Sequence, residues 1–281
     1  MTNLTKKKTL AVILISYLIC SIIKYIEFFF IQTDQTFIAD NVICKIFCII
    51  FIVVVLRIYK LGFAEIGFNF SNIKKNLLYA LFGFALGIGT FAISYSVEII
   101  ILLAQGKSIS LGFYVTNFAL SGATNSVELS LSALLICIAG NVINVIAEEG
   151  LFRGFFLHIA KESFGFKKAN YIQALLFGTW HFVTVALEVK NGTMNIPTAA
   201  VMAIGYIVLA GILALEWGTC VSMTGVLWAG ICEHFFNNFI GNTLHVITET
   251  GTDEMQIARI VLSNLLSLII VLLINRKKKK I

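Results

Sequence analysis

Glu148, Glu149 and Arg153 fall within Ile146-Ala147-Glu148-Glu149-Gly150-Leu151-Phe152-Arg153-Gly154-Phe155, a stretch otherwise apolar enough to lie in a lipid bilayer. A charge at mid-membrane costs between about 3 and 10 kcal/mol, so three of them together need a reason. On a helix, Glu149 and Arg153 are four residues apart and share a face, so they can form an ion pair, while Glu148 is turned about 100° away. One glutamate is therefore expected to be paired and its neighbour left free. A purely structural salt bridge accounts for Glu149 and Arg153, but it gives Glu148 nothing to do. A carboxylate in low-dielectric surroundings is a competent general base.

Polar residues interrupt two later apolar runs, in Phe177-Gly178-Thr179-Trp180-His181 and in Glu233-His234-Phe235-Phe236-Asn237-Asn238. His234 and Asn238, four apart, share a helix face and can donate two hydrogen bonds to one point, which suits a developing oxyanion. A lone membrane histidine also serves as an ordinary polar contact between helices. Ionisable or amide groups on three separate helices fit a reaction site better than three unrelated contacts.

These residues need helices to carry them, and the composition supplies helices. The chain has 281 residues, 58% of them hydrophobic and 13% charged, with a single proline, Pro197, and a mean hydropathy of +0.91. Such values lie far outside those of soluble domains. The fold expected is all-α: a polytopic integral membrane protein, one domain over residues 1–281, with about eight transmembrane helices conical or bundled around a polar core. Apolar windows near 9–31, 42–59, 76–105, 127–160, 169–187, 197–215, 220–243 and 256–275 approach the roughly 20 residues that span a bilayer. The first run is too long for a secretory signal and shows no small-residue cleavage site, so it reads as a retained helix. The six cysteines lie in apolar runs without metal-ligand spacing and are assigned no chemistry.

The formal charge of +6 does not point to nucleic acid, because the basic residues gather at the ends of apolar segments, where the bilayer explains them. Lys6 to Lys8, Arg57, Lys60, Lys74, Lys75, Lys161, Lys167, Lys168 and Arg276 to Lys280 fall on one side, against little beyond Lys107 and Lys190 on the other. That asymmetry predicts both termini in the cytoplasm, with the acidic loop of Glu249, Asp253 and Glu254 outside. Lys24, Glu27 and Lys45 lie near helix ends, where snorkelling or mutual pairing explains them, and are left out of the site. Segment 61–70 is too short and polar to span and reads as a connector at the cytoplasmic interface. Gly83, Gly87 and Gly89 include a small-xxx-small spacing that permits close helix packing.

The order E-E-x-x-x-R (Glu148, Glu149, Arg153), F-x-x-x-H (Phe177, His181) and H-x-x-x-N (His234, Asn238), each on its own membrane helix, resembles the CAAX protease and bacteriocin-processing family, also called Abi. The resemblance covers about residues 65–245, the catalytic core. It implies an eight-helix intramembrane endopeptidase in which Glu148 and His181 activate a water. His234 and Asn238 would then hold the oxyanion, and Glu149, Arg153 and Phe177 would be structural support.

Two other readings stand beside it. Glu148, His181 and His234 can supply the His₂Glu set of a zinc metalloprotease, although no H-E-x-x-H is present, and the leading expectation is a site without metal or other cofactor. A membrane scaffold, an immunity protein or a transporter is the third reading. A transporter is expected to show inverted-repeat hydropathy and mid-membrane helix breaks, and with Pro197 at a helix start the sequence signals no such break. The expected substrate is a membrane-embedded or lipidated peptide, the expected surroundings a lipid bilayer, and the proline-poor, Lys/Ile/Asn/Phe-rich composition points to a bacterial source.

Overall fold

Helices begin where a side chain can cap them. The structure, a computed structural model describing residues 5–35, 41–116 and 130–278, starts α1 (Lys6–Ile26) behind Thr5, α3 (Ile73–Ala104) behind Asn72, α4 (Leu131–Glu148) behind Ser130 and α8 (Ile196–Thr224) behind Asn195. In each, the capping oxygen accepts the backbone amide three residues on, one of the donors a helix start leaves unpaired. Pro197 sits in the first turn of α8, and Gly225 ends that helix in the left-handed conformation (φ 76°). The remaining helices are α2 (Ile43–Tyr59), α5 (Leu157–Phe164), α6 (Phe166–Thr179), α7 (Phe182–Lys190), α9 (Trp228–Thr243) and α10 (Gln256–Lys278).

A π-helical stretch, Glu149–Phe156, joins α4 to α5 in one continuous rod, and α6 and α7 are halves of another. The described residues therefore form eight rods where eight apolar windows were expected. Six of these rods are long and apolar enough to cross a membrane, whereas α2 has 17 residues and α9 has 16. Residues 127–129 of the fourth window, and Lys279 and Lys280 of the basic tail, lie outside the described residues.

Two features depart from the sequence reading. The α6–α7 rod is broken at Trp180 and His181, without a proline, so the expectation of unbroken helices is corrected. There the amide of Thr184 closes on the His181 carbonyl (3.1 Å) and the amide of His181 on that of Gly178 (3.4 Å). A small antiparallel ribbon was also unforeseen, pairing β1 (Ile109–Phe113) with β2 (Leu244–Thr248) so that Leu111 faces Val246. Beneath it Arg259 of α10 binds Glu98 of α3 and Asp253, buried charges that satisfy one another.

Close packing brings the helices of the site together. A methyl on Gly83 would overlap the Ala229 carbonyl oxygen, and one on Gly87 would lie 2.7 Å from the Phe236 ring, so α3 and α9 touch through these two glycines. Gly89 faces open space and takes no part. The connector 61–70 is a set of turns rather than a helix. Ile66 is buried, the Gly67 carbonyl accepts the Leu227 amide (3.0 Å) and the Asn69 carbonyl accepts the Trp228 indole (3.1 Å), which pins the connector to the start of α9.

Candidate active site

The junction between α4 and the π-helical stretch separates the adjacent glutamates: Glu148 ends the one and Glu149 begins the other. Single π turns inside α-helices often occur at functional positions. Gly150 and Gly154 let the wide turn sit against its neighbours, since a methyl on the first would lie 3.0 Å from the Ile52 side chain and on the second 3.2 Å from the Ile66 carbonyl.

The ion pair expected from spacing is present. Arg153 Nε lies 3.4 Å from Glu149 Oε2, with both side chains fully buried. The guanidinium lies between the rings of Phe177 (4.0 Å) and Trp217 (4.6 Å), a cation–π arrangement that offsets part of its desolvation. The other glutamate oxygen, Oε1, stands 2.9 Å from Nδ1 of His234.

Glu148 is not free, and that expectation is corrected. Its Oε1 accepts the indole N–H of Trp180 at 2.9 Å, and its Oε2 accepts from Asn144 at 3.5 Å, the limit of a hydrogen bond. Oε2 also stands 3.7 Å from Nε2 of His234. Glu148 thus lacks the arginine but not partners, and one edge of its carboxylate faces a histidine without a direct bond.

His234 stacks on Trp217 (4.0 Å between centroids, 17° between planes), and the Trp217 indole donates to Glu233. Glu233, an extra charge beside the motif histidine, thus holds the ring on which that histidine lies. Asn237 donates to Asn264 Oδ1 at 2.6 Å and ties α9 to α10. Asn238 lies one turn beyond His234, partly buried, and its side chain has no hydrogen-bond partner among the described residues.

His181 occupies the helix break, where its Nδ1 meets the Phe177 carbonyl at 3.0 Å and its ring stacks with Tyr206 (5.5 Å, 8°). A carbonyl only accepts, so Nδ1 carries the proton and the neutral ring keeps a lone pair on Nε2. The same logic at Glu149 places the first proton of His234 on Nδ1, so its Nε2 donates only when the ring is an imidazolium. Phe177 lies edge-on to both imidazoles, 5.1 Å from His181 and 6.1 Å from His234. The structure therefore gathers Glu148, Glu149, Arg153, Phe177, His181 and His234 around one aromatic centre.

Lys24 and Glu27 do not snorkel or pair with each other, a second correction. Glu27 accepts the backbone amides of Ile43 (2.8 Å) and Cys44 (2.6 Å) and so caps the start of α2. Lys24 is buried, and its Nζ donates to the Trp180 carbonyl at 3.2 Å. Sequence reasoning missed both Lys24 and Trp180. The one available signal was Trp180 itself, beside the motif histidine, because a buried indole N–H requires an acceptor.

Zinc was the alternative cofactor. Among the described residues no group of three His, Cys, Asp or Glu side chains is arranged to hold one metal ion.

A family model described as type II CAAX prenyl endopeptidase Rce1-like matches residues 130–240. That segment holds Asn144, Glu148, Glu149, Arg153, Phe177, Trp180, His181, Trp217, His234 and Asn238, and it agrees with the resemblance drawn from the three motifs; α1 to α3 lie outside it. No curated protein and no solved structure matches the chain.

Proposed function

We propose, from a chain whose residues 130–240 match a family model described as type II CAAX prenyl endopeptidase Rce1-like, that this protein is an intramembrane endopeptidase that hydrolyses a peptide bond by activating a water at Glu148. The observation that carries the reading is the state of that carboxylate. One oxygen is fixed by Trp180, the other is turned toward His234 at 3.7 Å, and Arg153 is taken up by Glu149 instead. A base so held keeps its orientation and is spared the buried guanidinium, which Glu149 takes up.

In this reading the water oxygen attacks the carbonyl carbon and its proton passes to Glu148. His181, through its Nε2 lone pair, orients the same water. His234 as an imidazolium, with the Asn238 amide, stabilises the tetrahedral oxygen; loss of one such donor typically costs about 10²–10³ in rate. The C–N bond then breaks and the leaving amine takes the proton from Glu148. Glu149 orients His234 while Arg153 and Phe177 support it, and no metal enters any step.

The substrate class is a membrane-embedded or lipidated peptide, met within the bilayer, and both termini of the chain lie in the cytoplasm. Purified protein reconstituted in lipid, given an internally quenched peptide anchored by a prenylated cysteine near its C-terminus, should release a fragment ending at a defined bond. If mass spectrometry finds no new terminus on that peptide or on an acylated counterpart, the proposed substrate class is wrong.

A further inference from the structure

Lys24 of α1 lies outside the segment that the family model matches, yet it reaches the centre of the site. Its side chain is 7% exposed, and it has no ion-pair partner among the described residues. The ammonium donates to the Trp180 carbonyl at 3.2 Å and lies 4.3 Å from the centroid of the Trp180 ring. The break in the α6–α7 rod frees that carbonyl, because the Thr184 amide that would ordinarily close on it closes on His181 instead. A second side chain of α1 meets the same break, with the Tyr17 hydroxyl 2.8 Å from Thr179 Oγ1 and its ring 6.0 Å from that of Trp180. The indole N–H of the same Trp180 donates to Glu148 Oε1 at 2.9 Å.

We infer that Lys24 is a positioning residue of the site: it fixes Trp180 at the carbonyl freed by the helix break and across the face of its ring, and through the Trp180 indole N–H it sets the orientation of Glu148. A buried ammonium is costly unless it is met by acceptors, a π face and a nearby negative charge. Here one tryptophan supplies the first two and presents the glutamate that supplies the third. The helix break acquires a role in the same way, since it exposes a carbonyl to Lys24 while placing Trp180 and His181 side by side. The inference rests on Glu148 being the base of the proposed reaction, but its test needs no substrate.

The chain contains three tryptophans, so its indole N–H groups give three ¹⁵N–¹H signals in the full-length protein in detergent, and Trp180→Phe identifies the one from Trp180. Glu148→Gln should move that signal upfield by weakening the acceptor. Lys24→Met, which keeps the length of the stem and removes the charge, should move it in the same direction, and Lys24→Arg should return it toward the wild-type position. Tyr17→Phe, which loosens α1 against Thr179 without touching Lys24, should leave it in place. If Lys24→Met does not fold, Lys24→Gln takes its place with the same expected shift. A Trp180 signal that stays at the wild-type position when Lys24 is replaced, while Glu148→Gln moves it, overturns the role of Lys24 alone. A signal that neither replacement moves removes the Trp180–Glu148 contact, and with it the arrangement on which the proposed function rests.

Discussion

His234 Nδ1 lies 2.9 Å from Oε1 of Glu149, and the other oxygen of that carboxylate lies 3.4 Å from Arg153 Nε. One glutamate therefore carries a buried cation and orients a site histidine. Glu149→Gln should lower stability by on the order of 3–5 kcal/mol, the usual cost of leaving a buried charge unpaired. The double replacement Glu149→Gln with Arg153→Met should recover most of that stability, as read by thermal unfolding in detergent, but not the activity. Recovery of both would show that Glu149 acts only through Arg153.

The helix that carries His234 is placed by its contact with α3. Gly83→Ala puts a methyl into the Ala229 carbonyl, a backbone atom that cannot turn aside. The expected result is a loss of about 1–3 kcal/mol from overpacking, with activity falling alongside, because α9 must move away. Gly89→Ala, facing open space, is the matched control and should change neither.

The ribbon end of the molecule should be acid-labile. Burial pushes the Asp253 carboxyl up, but the His245 ring at 3.5 Å and the two Arg259 hydrogen bonds outweigh it and hold the group below the usual carboxylate range. A depressed carboxyl contributes stability that is fully present above its unfolded value, near about 4, and is lost as pH falls through the folded value. The unfolding temperature should therefore be insensitive to this group between neutrality and about pH 5 and should drop below about pH 4. Asp253→Asn should lower it at neutral pH and remove this part of the acid limb.

The eight rods were legible because apolar windows near bilayer length dominate the sequence, and the pairing of Glu149 with Arg153 was legible because it is local. The partners of Glu148 were not. Trp180 and His234 come from segments distant in sequence, as does Lys24 behind Trp180, and a lysine near a helix end carries the same local signature whether it snorkels or turns inward. The break at Trp180 and His181 has no proline to announce it. It is held by the Thr184 and His181 amides and by side chains of α1, and periodicity records none of these. The β1–β2 ribbon was hidden for a similar reason: its two strands are five residues each, mix apolar residues with Ser110, Gly112, His245 and Thr248, and find each other only across more than a hundred residues of chain.

Metal dependence separates the two enzyme readings. Both imidazoles are anchored through Nδ1, to the Phe177 carbonyl and to Glu149, as zinc-bound histidines commonly are. The proposed reaction nevertheless uses no metal. Purified protein should contain less than stoichiometric zinc and keep its activity after prolonged treatment with a strong chelator. Activity lost on chelation and restored by zinc would transfer the reaction to the metalloprotease reading.

The central claim is that Glu148 is the base, and it is tested most directly by comparing the membrane peptides of cells carrying the wild-type chain with those of cells carrying Glu148→Gln at matched membrane levels. The replacement keeps the shape of the side chain and an acceptor for Trp180 while removing the base. The account expects a set of cleavage products, sharing one position of cut, that is present with the wild type and absent with the variant. The same products at undiminished abundance from the Glu148→Gln chain would contradict it.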